Sequence, residues 1–180
     1  EKVLELQPEF PEAFFQIVPY YYQLGESLSN DGNRIGDMSD AFEKSINAFE
    51  NAIKQDADYF DAHYHRSLSN YALENFNDVV SDCEEALKIK PESAKTYFQL
   101  GLAQMGNEEF EDAIKSFDKS IEYNSRHHQS FYKKGICLEK LENFENALIA
   151  FESAVVIEAN NSNYFYHLGL NAFLNNQYSK

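Results

Sequence analysis

The 180 residues hold no tryptophan, two cysteines, two methionines, four prolines and seven glycines. So few chain breakers exclude a turn-rich sandwich or barrel and favour helices. Two cysteines, Cys83 and Cys137, are too few for a disulfide framework, and both read as reduced residues of the core. No apolar run approaches the ~18 residues that a membrane-spanning helix needs, and no secretory signal opens the chain. No initiating Met opens it either, so a longer parent protein is expected. Positive charge is also scarce: 15 Lys and Arg against 30 Asp and Glu give a net charge of −15. That balance argues against nucleic acid, because neutralising phosphates takes clustered cations, and against insertion into anionic membranes. A neutral or basic protein partner meets no such barrier.

Recognisable chemistry is equally sparse. His63 and His65 stand two apart, on different sides of a helix, and no Cys or carboxylate set completes a metal site with them or with His127 and His128. Residues 31–42, DGNRIGDMSDAF, match a calcium loop at Asp31, Asn33 and Gly36 but place Ile35 and Phe42 where ligands belong. Neither a phosphate-binding glycine loop nor a nucleophile motif occurs. The expectation is a protein with no catalytic residue, no metal and no cofactor.

What the chain does have is a period. Gly101, Gly135 and Gly169 recur at 34 residues (135 − 101 and 169 − 135), and Ser67 stands one period before Gly101. Other columns keep step: Phe76, Phe110, Phe144 and Tyr178; Val79, Ala113 and Ala147; Cys83, Phe117 and Phe151; Ala52, Ala86, Ser120 and Ala154. Small residues let paired helices approach, and large side chains fill the groove between them. A single pair cannot bury its apolar stripe, so neighbouring pairs must stack into a continuous core.

With its helix–turn–helix unit of about 34 residues, the chain resembles the tetratricopeptide repeat (TPR) family. The large-x-x-Leu-Gly pattern stands as Tyr97…Leu100-Gly101 and Phe165…Leu168-Gly169, and small-x-x-x-aromatic as Ala113…Phe117 and Ala147…Phe151, with Pro91 at the closing proline. Arg66 and Lys134 replace the leucine, His63 the large aromatic, and Ser125 and Ala159 the proline. The resemblance covers roughly residues 41–180 and implies an all-α fold of helical hairpins stacked into a right-handed superhelix, an α-solenoid. First helices are expected near 60–73, 94–107, 128–141 and 162–175, and second helices near 41–55, 76–90, 110–124 and 144–158. The expected organisation is one array over 1–180. Residues 1–57 form an irregular unit with an insertion near 26–40; 60–93, 94–127 and 128–161 are regular repeats, and 162–180 a partial one. Residues 2–7 read as the end of a second helix, and the irregular unit beginning near Pro11 carries an aromatic first helix in residues 14–28, FFQIVPYYYQLGESL, which Pro19 either kinks or restarts. The Phe76 column implies that another second helix opens at Tyr178.

In such stacks the first helices line the concave surface. Three positions per helix should face it, namely three before, one after and four after the Gly column. They are Tyr64, Leu68 and Tyr71; Phe98, Leu102 and Met105; Tyr132, Ile136 and Glu139; Tyr166, Leu170 and Phe173. Apart from Glu139 all are apolar or aromatic, so each first helix has a second greasy face beyond the one turned to the core. A helix apolar on all sides is normally covered on all sides. The expected site is a groove that takes a helix or extended segment of a protein partner, neutral or basic with apolar side chains. Relatives that clamp acidic chaperone tails use Lys and Asn at these positions, so that specialisation is not expected. The resemblance implies a cytoplasmic protein-binding scaffold within a larger complex. Two other roles stay open: the recruiting arm of an enzyme whose catalytic domain lies elsewhere, and a structural subunit of a cytoskeletal, ciliary or trafficking assembly.

Overall fold

The computed structural model describes residues 35–178, and their regular structure is entirely helical. The helices are α1 (Ile35–Gln55), α2 (Phe60–Ala72), α3 (Phe76–Ile89), α4 (Ala94–Gly106), α5 (Phe110–Tyr123), α6 (His128–Lys140), α7 (Phe144–Ile157) and α8 (Ser162–Tyr178). The helices expected in residues 2–7 and 14–28, and the insertion as far as residue 34, lie outside the described residues. The chain divides into two compact units, Glu1–Pro91 and Glu92–Lys180. In the first, α2 packs against α1 and α3; in the second, α4 to α8 pack each against the next.

Helices α2 to α7 begin at the expected residues, and two others differ. Helix α1 starts at Ile35 rather than near residue 41, so the C-terminal part of the expected 26–40 insertion is helical. No proline interrupts Ile35–Gln55, and one glycine beside a helix start costs little. Helix α8 runs through Tyr178, where a new helix was expected to open.

Each helix pair closes with the same turn. Glu74, Glu108 and Glu142, one period apart, have φ of 59°, 63° and 57°. Two backbone bonds hold each: Asn75 N donates to Asn70 O at 2.9 Å and Glu74 N to Tyr71 O at 3.0 Å, with equivalents from Glu109 and Glu108 and from Asn143 and Glu142. This is the Schellman arrangement, which caps the last carbonyls of the helix at the expense of one left-handed residue. Connections between repeats use a different device. Side chains of Asp56, Asn124 and Glu158 each accept from the amide two residues on, while Lys90, at the same register, is followed by Pro91.

The glycine column explains the closeness of each pair. A Cβ built on Gly101 would lie 2.6 Å from the Phe117 ring, and one on Gly135 would lie 2.6 Å from the Phe151 ring. Both rings are fully buried. In the first unit the pair changes in concert: Ser67 takes the glycine position and the smaller Cys83 the ring position, both buried. Gly169 meets nothing within 4 Å. Alanine should therefore act with opposite signs at two glycines of one column. Gly135→Ala is expected to cost about 1–3 kcal/mol through overpacking. Gly169→Ala should instead stabilise by about 0.5–1 kcal/mol through helix propensity. Urea unfolding of both variants checks the pair.

Cys83 and Cys137 are free and buried, and burial pushes each thiol up to about 12. Thiolate is the reactive form. Native protein is therefore expected to resist a maleimide or disulfide reagent at pH 7.5, with labelling rising only as denaturant opens the fold.

Candidate functional site

The first helices present the expected side chains in register. In the first unit Tyr64, Leu68 and Tyr71 on α2 are half-buried. Tyr64 stacks on Phe60 and Tyr71 lies 5.7 Å from the Phe76 ring. In the second unit Phe98, Leu102 and Met105 of α4 are half-buried against a cluster of Ala113, Phe117 and Cys137. Tyr132 and Ile136 of α6 are half-buried against Leu138, Ala147, Ala150 and Phe151. Leu170 of α8 is half-buried, while Tyr166 and Phe173 are 66% and 60% exposed. Most of the eleven side chains thus contribute one side to the core and keep the other accessible; Tyr166 and Phe173 stand out on their own.

A polar network sits among these residues. Asn171 Nδ2 donates to Glu139 Oε2 at 2.6 Å, and His167 Nδ1 lies 3.1 Å from the same oxygen. The His167 ring stacks on Phe151 at 5.3 Å and meets Tyr132 edge-on. His128 Nδ1 lies 2.8 Å from the Tyr164 hydroxyl, and Tyr164 packs on Tyr132 at 4.6 Å. Partial burial raises both tyrosine pKa values. Glu139 was the polar exception in the sequence stripe; its partners, on the next first helix, could have been found by asking which residues one repeat on could answer a carboxylate.

Sequence reasoning missed a recess that occurs once in each unit, at equivalent positions. In the first, Ile46, Arg66, Asn70, Asp78, Ser81 and Asp82 line about 180 Å³. In the second, Ile114, Lys134, Leu138, Asn146, Ile149 and Ala150 line about 270 Å³. Each residue of the first set is two periods before its counterpart in the second, so one place in the repeat is charged in one unit and mainly apolar in the other. The charged version centres on Asp82, only 2% exposed. Arg66 Nε donates to both of its oxygens, at 2.9 and 3.1 Å, and Asn70 Nδ2 to one at 3.2 Å. Burial raises the Asp82 pKa; Arg66 and Asn70 pull it back down. The visible signal was a charge in a column otherwise occupied by Ser116 and Ala150.

Among the described residues no group of His, Cys, Asp and Glu is arranged to hold a metal ion. No described helix is long and apolar enough to cross a membrane. His63 Nε2 lies 2.9 Å from the Ala57 carbonyl, and His65 stacks on Phe49.

Comparison with known proteins points one way. The tetratricopeptide repeat family profile matches residues 98–163. No curated protein matches the sequence. Among solved structures, a crystal structure of MamA is 20% identical, with 82% of this chain and 81% of that one covered at a TM-score of 0.71. YrrB, described as a TPR protein with an unusual peptide-binding site, is 18% identical over 90% of this chain and 83% of its own, at 0.65. The OM64 TPR domain of Arabidopsis is 19% identical over 62% and 93%, at 0.61. At these identities the structural likeness concerns the fold.

Proposed function

Given that residues 98–163 match the tetratricopeptide repeat family and that the fold is the one found in TPR proteins, we propose that the chain acts as a non-enzymatic interaction scaffold. Its first-helix side takes a helix or extended segment of a partner protein. The observation that carries this reading is the apolar and aromatic set on α4, α6 and α8, which stays accessible at every expected position and ends in the exposed rings of Tyr166 and Phe173. Large rings supply contact area at low entropic cost and dominate such interfaces. The net charge of −15 favours a neutral or basic partner. Buried free thiols fit a reducing, cytoplasmic setting. The printed description of YrrB, a relative in fold, supports peptide binding as a use of this architecture.

The test follows from exposure. Leu102 and Ile136 pack against core clusters, so lysine there would disturb folding together with binding. Tyr166→Ala with Phe173→Ala removes rings that fold stability barely needs, at about 0.5 kcal/mol or less each. Peptides selected on the wild-type chain from a helical library should lose affinity at least tenfold on this variant, with unchanged melting. Equal affinity for both proteins would place binding elsewhere and defeat the reading.

A further inference from the structure

Among the expected groove positions Glu139 alone carries a charge, and the way its carboxylate is held leaves half of it unused. Two nitrogens from α8 converge on one oxygen: Asn171 Nδ2 donates to Glu139 Oε2 at 2.6 Å, and His167 Nδ1 lies 3.1 Å from it. Oε1 accepts from no described residue. The side chain keeps 21% of its surface exposed, and Oε1 is not one of the buried polar atoms that lack a partner, so it reaches solvent. Asn171 Oδ1, by contrast, is buried without a donor. Its amide is turned so that the nitrogen serves Glu139 and the His167 carbonyl. A polar atom orphaned in order to hold a carboxylate calls for a reason. Glu139 sits on α6, with α4 on one side and α8 on the other, so both neighbouring first helices are in place around it.

We propose, resting on the groove reading, that Glu139 is the subsite for a lysine of the bound partner segment, with Oε1 taking the ammonium group. Tyr132, Ile136 and Glu139 lie at i, i+4 and i+7 and so share one stripe of α6. An apolar segment laid along that stripe strips water from Oε1, and a carboxylate oxygen left covered without a donor weakens binding. Apolar and acidic residues opposite Glu139 are thereby rejected and a cation is selected. Lysine fits better than arginine. The guanidinium fork matches a carboxylate with both oxygens open, whereas here one oxygen is taken and a single acceptor remains for a point charge. The net charge of −15 draws a cation the same way and repels a second copy of this chain.

The probe is a peptide selected on the 180-residue chain from a helical library varied at every position. A lysine at one fixed place is expected. Glu139→Gln is the isosteric test, because its carbonyl can keep Asn171 and His167 while an amide replaces Oε1. It should weaken the peptide about tenfold. The same peptide with that lysine changed to methionine should bind both proteins alike, within about twofold. On the unaltered chain the lysine-to-methionine change should itself cost about tenfold, a measurement that needs no variant to fold.

Selected peptides without a fixed lysine overturn the subsite. Equal losses on Glu139→Gln for both peptides also overturn it, since the carboxylate would then only steady α8. Peptides that weaken on Tyr166→Ala with Phe173→Ala yet ignore Glu139→Gln refute the lysine subsite and leave the groove standing. Peptides indifferent to both variants refute groove and subsite together. A longer parent chain that fails to bind the lysine peptide would give the site to a segment of its own and overturn the assignment to a partner.

Discussion

Arg66→Leu is expected to destabilise the first unit by about 3 kcal/mol at pH 7, measured by urea unfolding. Asp82 is 2% exposed and Arg66 23%, so removing the guanidinium leaves a buried carboxylate with Asn70 as its remaining donor. Breaking a buried ion pair from one side costs about 3–5 kcal/mol, and the partial exposure of Arg66 puts this case at the lower end. The loss should depend on pH. Burial already raises the Asp82 pKa above its ordinary value of 3.8, and loss of Arg66 raises it further. A folded-state pKa above the unfolded one means that the native state holds the extra proton in the window above 3.8. The contribution of this group to stability is then present at lower pH and disappears as pH rises through the folded value. Arg66→Leu should therefore be much less harmful near pH 4 than at pH 7. The second unit shows how to remove the charge safely. At the same register it has Leu100, Gln104 and Ser116, with Ser116 Oγ donating to Gln104 Oε1 at 2.6 Å. The triple variant Arg66→Leu, Asn70→Gln, Asp82→Ser should return to within about 1 kcal/mol of the native protein, since uncharged replacements of a buried pair are often neutral.

Phe151→Ala should have an effect of similar or larger size, about 3–5 kcal/mol. The ring is fully buried, lies against Gly135, and stacks with Tyr132 and His167. It thus joins α6, α7 and α8, and its loss opens a cavity that three rigid helices cannot close. In a repeat protein each helix leans mainly on its neighbours, so the damage should stay local. Hydrogen exchange is expected to accelerate in α6, α7 and α8 while α1 to α3 keep their protection. Uniform acceleration across the chain would contradict that locality.

The fold was legible because its determinants are local and periodic. The Gly101/Gly135 column could be read without a structure since a slot for a ring admits only hydrogen, and the columns of Phe76 and Ala113 carry the same register. The start of α1 was less legible: polar residues between Ile35 and Asp40 read as an insertion, yet polarity alone does not stop a helix. The end of α8 was missed because Tyr178, though it stands in the Phe76 column, does not by itself make a turn. Within the candidate site, the eleven positions followed from the register. Their dual role did not, since Leu102 and Ile136 each touch a core cluster that includes residues of other helices. Likewise the Asp82–Arg66–Asn70 and Glu139–His167–Asn171 networks join residues on different helices, and no periodicity of a single column announces such cross-helix pairing.

The central claim is that partners are taken on the first-helix side. Hydrogen exchange of the chain, with and without a peptide selected on it, tests this most directly. Added protection should concentrate in α4, α6 and α8, around Phe98, Tyr132 and Tyr166. Protection confined instead to α5 and α7, around Ile114 and Ile149, would put the partner in the recess on the second-helix side and contradict the account.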